Sequence, residues 1–263
     1  MSRVTETIRA AEAAGRGVLV GYLPAGFPTV DASVDAMIAL AEGGADIIEL
    51  GIPYSDPVMD GLVIQQATNL ALENGFRVRN VFEIIRAVTS RVDVPILVMT
   101  YWNPVVQYGV DRFAKELAEV GGAGLITPDL IPDEAGEWIS ASDTYGLDRV
   151  FLAAPSSTDE RLRSAVEHSR GFVYAVSTMG ITGAREDLDA AARTLVGRLR
   201  DVGAQTVCVG VGISSPEQVR DVCGYADGAI VGSLLVKTLE SGGADAVRDM
   251  AQSLVTGTQS TRL

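Results

Sequence analysis

The sequence predicts a (β/α)8 (TIM) barrel with an extra N-terminal helix, built as one domain over residues 1–263, and three observations predict it. Short apolar runs alternate with amphipathic helical patterns, eight such runs occur, and no Pro/Ser-rich linker or break in composition divides the chain. Strand alternating with helix implies right-handed crossovers and a parallel sheet. Eight units favour closure over an open doubly wound sheet, because about 250 residues is a usual length for a closed barrel.

Taken in order, the segment before residue 17 is placed as the extra helix, plugging the barrel bottom. The eight strands are GVLVGYL (17–23), DIIELG (46–51), PILVMTY (95–101), GAGLITP (122–128), RVFLAA (149–154), GFVYAVS (171–177), TVCVGVG (206–212) and GAIVGS (228–233). Between them lie patterns such as VDASVDAMIALAEGG and VDRFAKELAEVGG, which close on Gly where a left-handed cap is wanted. The polar tail QSLVTGTQSTRL is expected to fray.

Composition removes several classes of function. Lys+Arg 21 against Asp+Glu 34 gives a formal net charge of −13, a field that repels phosphate backbones and anionic lipid. An anionic substrate must therefore be held by local geometry. Cys208 and Cys223 form no disulfide framework, and Cys208 reads as an inert core thiol in TVCVGV. With one histidine, His168, at an expected helix end, neither a zinc site nor a His-based triad can be assembled, so no metal is expected. Lys115 and Lys237, the two lysines, fall in helical patterns rather than at strand ends, where a Schiff base would need them. The N-terminus lacks a signal-peptide core and no apolar run approaches the roughly 20 residues of a membrane span, so a soluble cytoplasmic protein is expected. Proton transfer falls to carboxylates, with tyrosine as a helper.

Glu49 is the sharpest candidate. Strand residues alternate faces, so Ile48 and Leu50 form a helix-facing pair and Glu49 points into the barrel mouth. A buried carboxylate there needs either a raised pKa or a partner, such as loop amides or an arginine. Asp60 and Asp56 both stand in turn-like contexts, Asp-Gly and Asp-Pro, which any surface turn would explain. Asp60 gains weight because its loop leaves the Glu49 strand and hangs over the same mouth, where two carboxylates in different environments divide acid and base roles.

Two later stretches are rich in small residues. GVGISSPEQVR (210–220) offers Ser215 as an N-cap before Pro216 and sets Ser214 and Glu217 at capping-box spacing. GAIVGSLLVK passes through Gly232 and Ser233 directly into a helix. Consecutive strands seven and eight ending this way match the usual barrel phosphate site, although glycine is common in such loops anyway. STMGITGARED (177–187) reads as a lid over the mouth, lending N–H groups near Gly183, or as an ordered surface loop. Tyr174, alternating inward, lies near Glu49 or is simply packed.

Together these residues resemble the tryptophan synthase alpha subunit family. The segment IELGIPYSDPVMDG carries the specific signature, and GYLPAGFP, YWNPVVQYG, TPDLIPDEA, VSTMGITGAR, GVGISSPEQV and IVGSLLVK extend it over nearly the whole chain. The resemblance implies reversible retro-aldol cleavage of indole-3-glycerol phosphate, with no cofactor in this chain. It implies Glu49 as general acid/base and Asp60 as partner of the indole N–H. It further implies phosphate contacts at Gly183, Gly212, Gly232 and Ser233, and an indole pocket at Tyr22, Tyr101, Tyr174 and Thr182. It also implies an αββα complex with a pyridoxal-phosphate beta subunit. Asp56, Asn103, Pro104, Asp129 and Pro132 are the expected rim contacts. Met59, Leu62, Leu70, GFP at 26–28 and Thr178-Met179 depart from the usual pattern without removing a catalytic group. The competing readings are a stand-alone lyase that releases free indole and a non-catalytic allosteric barrel subunit.

Overall fold

The computed structural model describes residues 2–176 and 185–259. Among them, eight parallel strands pair in sequential order and close into a barrel. They are β1 Val18–Pro24, β2 Ile47–Gly51, β3 Ile96–Met99, β4 Gly124–Thr127, β5 Asp148–Ala153, β6 Val173–Val176, β7 Val207–Gly210 and β8 Gly228–Val231. The helices that bear on the site are α1 Arg3–Ala13, α2 Val30–Glu42, α3 Leu62–Glu73, α4 Asn80–Thr89, α5 Trp102–Tyr108 and α6 Val110–Glu119. After them come α7 Gly136–Tyr145, α8 Asp159–His168, α9 Arg185–Asp201, α10 Pro216–Cys223 and α11 Ser233–Val255.

The period of two sorts each strand into two layers. Ile48 and Leu50 of β2 pack outward in the large apolar layer beneath the helices. Ile47 points inward with Val20, Leu97, Ile126, Val150, Phe172, Cys208 and Ile230, filling the barrel. Val4, Ile8 and Ala11, on one face of α1 at helical spacing, join that inner cluster and seal the bottom. Ser2 caps this helix by accepting the Thr5 N–H. With the lower barrel filled, the open volume lies at the other end, where the strands finish.

Three local expectations need correction or refinement. The tail does not fray up to residue 259: Gly17 donates its N–H to the Thr258 carbonyl at 2.8 Å, and Gln259 bridges Arg16. Thr258 is fully buried, because the start of β1 needs a backbone partner that the tail supplies. The box after β7 is shifted by one residue: Ser215 Oγ accepts the Gln218 N–H, and Gln218 Oε1 accepts the Ser214 N–H at 2.6 Å, in place of a Ser214–Glu217 pair. Gly closes the two quoted helices one step past the cap, with φ +100° at Gly44 and +83° at Gly121.

His168 ends α8, its Nδ1 2.8 Å from the Ser164 carbonyl. Both cysteines are buried and stand outside any disulfide. Among the described residues no helix is long and apolar enough to cross a membrane, and no group of three His, Cys, Asp or Glu stands together as a metal cluster.

Candidate active site

A cavity of about 400 Å³ opens at the C-terminal ends of the strands. Its wall includes Tyr22, Glu49, Asp60, Tyr174, Gly212, Gly232 and Ser233, so seven of the sequence candidates converge on one space. Glu49 is 1% exposed. Its Oε1 finds no hydrogen-bond partner among the described residues, so neither loop amides nor an arginine neutralise it. Burial alone pushes its carboxyl up to about 8. At neutral pH this group carries its proton.

Asp60 leaves the strand-two loop just before Gly61, the N-cap of α3. Only its backbone carbonyl serves the turn, accepting from Gln65 Nε2 at 2.7 Å. Burial raises the carboxyl above its ordinary value, and a hydrogen bond from the Tyr101 hydroxyl opposes that rise. The same hydroxyl accepts the Met59 N–H at 3.0 Å. Tyr101 therefore holds the Asp60 loop, and it is not among the residues that line the cavity.

Tyr22 and Tyr174 do line that wall. Burial, then the nearby carboxylates, push both phenols well above their usual value, so both stay neutral. Each ring lies over a glycine of the next inward-facing position. A Cβ on Gly51 would overlap Tyr22 Oη, and one on Gly210 would come within 2.7 Å of Tyr174 Oη. Glycine at 51 and 210 thus sets the shape of the mouth.

The two small-residue helix openings are not equivalent. Ser215 caps α10, and Gln218 takes the Ser214 N–H, so that opening is largely satisfied internally. Gly232 caps α11 without a side chain, which leaves first-turn N–H groups facing the cavity between Gly232 and Ser233. Gly212, with φ +69°, brings the loop after β7 to the same side of the wall. Thr182 and Gly183 lie outside the described residues, as does the greater part of the expected lid.

Several wall residues carried no site signal in the sequence, among them Ile64, Met99, Leu152 and Leu234, and one of those missed is charged. Lys237, one turn along α11 from Ser233, borders the cavity. In sequence it falls in a helical pattern away from any strand end, with nothing to mark it.

On the rim, Asn103 Nδ2 reaches Tyr54 Oη at 3.4 Å, Trp102 donates its N–H to Asp129 at 2.9 Å, and the Tyr54 and Tyr101 rings lie 5.3 Å apart. Asp56 is exposed and accepts from Ser55 Oγ, while Pro104 is the third residue of α5, in its first turn, and Pro132 starts a short 3-10 turn. These contacts join the connections after β2, β3 and β4 to the residue that holds Asp60. The same connections carry exposed apolar side chains: Val58 (79%), Leu62 (75%), Val106 and Ile131. Val58, Val106 and Ile131 had no sequence signal beyond being apolar in a loop or short helix.

A closed (β/α)8 barrel whose cavity, at the C-terminal ends of its strands, is lined by two carboxyl groups has the architecture of a barrel enzyme. The family model described as tryptophan synthase alpha chain matches residues 8–261. The tryptophan synthase alpha chain of Leifsonia xyli is 65% identical over 257 residues, covering 98% of each chain. That of Mycobacterium avium is 54% identical, over 97% of this chain and 94% of the relative. A Mycobacterium tuberculosis tryptophan synthase structure superposes with a TM-score of 0.93 at 52% identity, over 98% of each chain. An alpha subunit structure from Legionella pneumophila gives 0.88 at 31%, also over 98% of each. The chain belongs to the tryptophan synthase alpha chain family.

Proposed function

We propose that Glu49 and Asp60 divide the acid–base work of the family reaction, in a cytoplasmic, single-domain barrel that cleaves indole-3-glycerol phosphate to indole and glyceraldehyde 3-phosphate. The observation that carries this reading is the unpaired Glu49 carboxyl, held up to about 8 by burial at the cavity wall. Protonated Glu49 gives its proton to the ring carbon that bears the glycerol chain. Positive charge then develops on the indole nitrogen, and the Asp60 carboxylate stabilises it through the N–H. Glu49, now ionised and poorly solvated, is a strong base. It takes the proton of the side-chain hydroxyl next to the ring as the carbon–carbon bond breaks, which leaves an aldehyde and neutral indole. One carboxyl thus serves both proton transfers and ends as it began.

Gly212, Gly232, Ser233 and, with them, Gly183 are proposed to hold the phosphate, and Tyr22, Tyr174 and Thr182 to border the indole. Tyr101 is proposed to position Asp60. Tyr101→Phe removes a bond that lowers the Asp60 pKa, so the acid limb of the rate profile should move to higher pH. A loss of roughly 10-fold in kcat/KM should accompany it, the scale of one hydrogen bond to a charged group. An unchanged limb and rate would remove the positioning role.

The partner is proposed to be a beta subunit carrying pyridoxal phosphate, in an αββα tetramer, docked on the rim of Asp56, Asn103, Pro104, Asp129 and Pro132. The exposed Val58, Leu62, Val106 and Ile131 supply the apolar area that such a contact needs. Because the same rim is tied to Tyr101 and Asp60, docking should order the site. Indole formation by the purified chain should be low and should rise clearly on adding the beta subunit, less so for Asn103→Asp. High activity alone, with no binding, would favour the stand-alone lyase; Glu49 and Asp60 on one wall argue against a non-catalytic subunit.

A further inference from the structure

The reading of a phosphate at the α11 opening leaves an electrostatic difficulty. The cavity wall carries the Asp60 carboxylate beside a neutral Glu49, inside a chain of formal net charge −13. A phosphate monoester brings about −1.5 to −2 more. The helix opening offsets only roughly half an elementary charge. Among the described residues the wall holds one cationic side chain, Lys237, four residues after Ser233 on α11.

Helical side chains lean toward the N-terminus of their helix, so a residue four positions on covers the turn that opens it. Lys237 and Ser233 therefore share one face, and that face borders the cavity. The other lysine, Lys115, is paired with Glu119 at 3.9 Å on the outside of the barrel. Lys237 forms no ion pair with any described residue. Its ammonium is left uncommitted beside the place where an anion is expected.

We propose that Lys237 is a specificity-determining residue of this site, supplying the counter-charge that selects a phosphate-bearing ligand over its uncharged analogue. The proposal rests on the phosphate reading above. As a point charge on a flexible stem, Lys237 adds attraction without fixing orientation, which the backbone N–H groups of Gly232 and Ser233 provide.

The test is titration of glycerol 3-phosphate and, separately, of uncharged indole into the native chain, Lys237→Met, Lys237→Arg and Gly232→Asp. Lys237→Met should weaken glycerol 3-phosphate by roughly 10-fold, the scale of one charge-assisted contact at a partly solvated position. Indole binding should not change. Lys237→Arg should restore most of the affinity, and the salt dependence of phosphate binding should be shallower in the Met variant. In turnover, the loss should fall on KM more than on kcat. If Lys237→Met binds glycerol 3-phosphate as the native chain does while Gly232→Asp does not, Lys237 has no such role and the phosphate reading stands. If neither variant changes that affinity, the phosphate lies elsewhere and both ideas fall. An equal loss of indole and phosphate binding in the Met variant would mean a structural effect, and would also overturn the proposal.

Discussion

Glu49→Gln should lose at least ~10²-fold in turnover while the chain stays folded and still binds glycerol 3-phosphate, the usual scale for removing a general acid/base. The amide fills the same volume but can neither give a proton to the ring carbon nor accept one from the hydroxyl. The pH profile gives an independent reading. Glu49 must enter protonated, so kcat/KM of the native chain should fall as pH rises through about 8. At low pH the rate should fall again as Asp60 gains a proton, at a point above an ordinary aspartate because burial raises it. Stability supplies a third reading that owes nothing to activity. The folded Glu49 value lies above the unfolded one, so its contribution is intact below the unfolded pKa and is lost as pH rises through about 8. Glu49→Gln should match the native chain near pH 4 and exceed it by a few kcal/mol near pH 9, on the order set by the pKa difference. Near-normal turnover in the variant, or identical stability curves at high pH, would remove Glu49 from the mechanism.

That residue was legible because its signal is local. A single charge breaks a period-two apolar run, and the alternation of faces says which way it points. The strands and the sealing helix were legible for the same reason: Val4, Ile8 and Ala11 keep helical spacing, and each strand is one apolar run. Contacts between distant segments were not. Tyr101 holds the Asp60 loop across 42 positions of sequence, and nothing near either residue announces it. The tail is fixed by the backbone at Gly17, at the other end of the chain, so its polar composition misleads. Lys237 sits in an ordinary amphipathic pattern, and only closure of the barrel brings its helix face against the cavity. The shifted cap after β7 failed differently: Ser214 and Ser215 are both competent, and the choice between them depends on Gln218 reaching back.

Gly232→Asp should abolish glycerol 3-phosphate binding and leave the barrel at least as stable. A Cβ at Gly232 meets only ordinary contacts, 3.6 Å to Tyr22 Cδ1 and 3.8 Å to Ile64 Cδ1, so the first side-chain atom is accommodated. Gly232 is also the N-cap of α11 and has no capping side chain. Aspartate is a favoured N-cap, worth a few tenths of a kcal/mol over glycine, since its carboxylate accepts first-turn N–H groups and meets the positive helix end. Those are the groups proposed to meet the phosphate. The variant therefore installs a resident anion that both occupies the donors and repels the ligand, and a loss of ~10²-fold or more follows from the two effects together. Gly212→Asp is a poorer probe, because φ +69° there would strain any L side chain and mix backbone effects into the result. The measurements are a thermal melt and a glycerol 3-phosphate titration on the same sample, with indole as the uncharged control. A higher melting temperature with lost phosphate binding and retained indole binding is the expected set. Retained phosphate affinity in a folded Gly232→Asp chain would place the anion away from the α11 opening, because no dianion shares first-turn N–H groups with a carboxylate already bound to them.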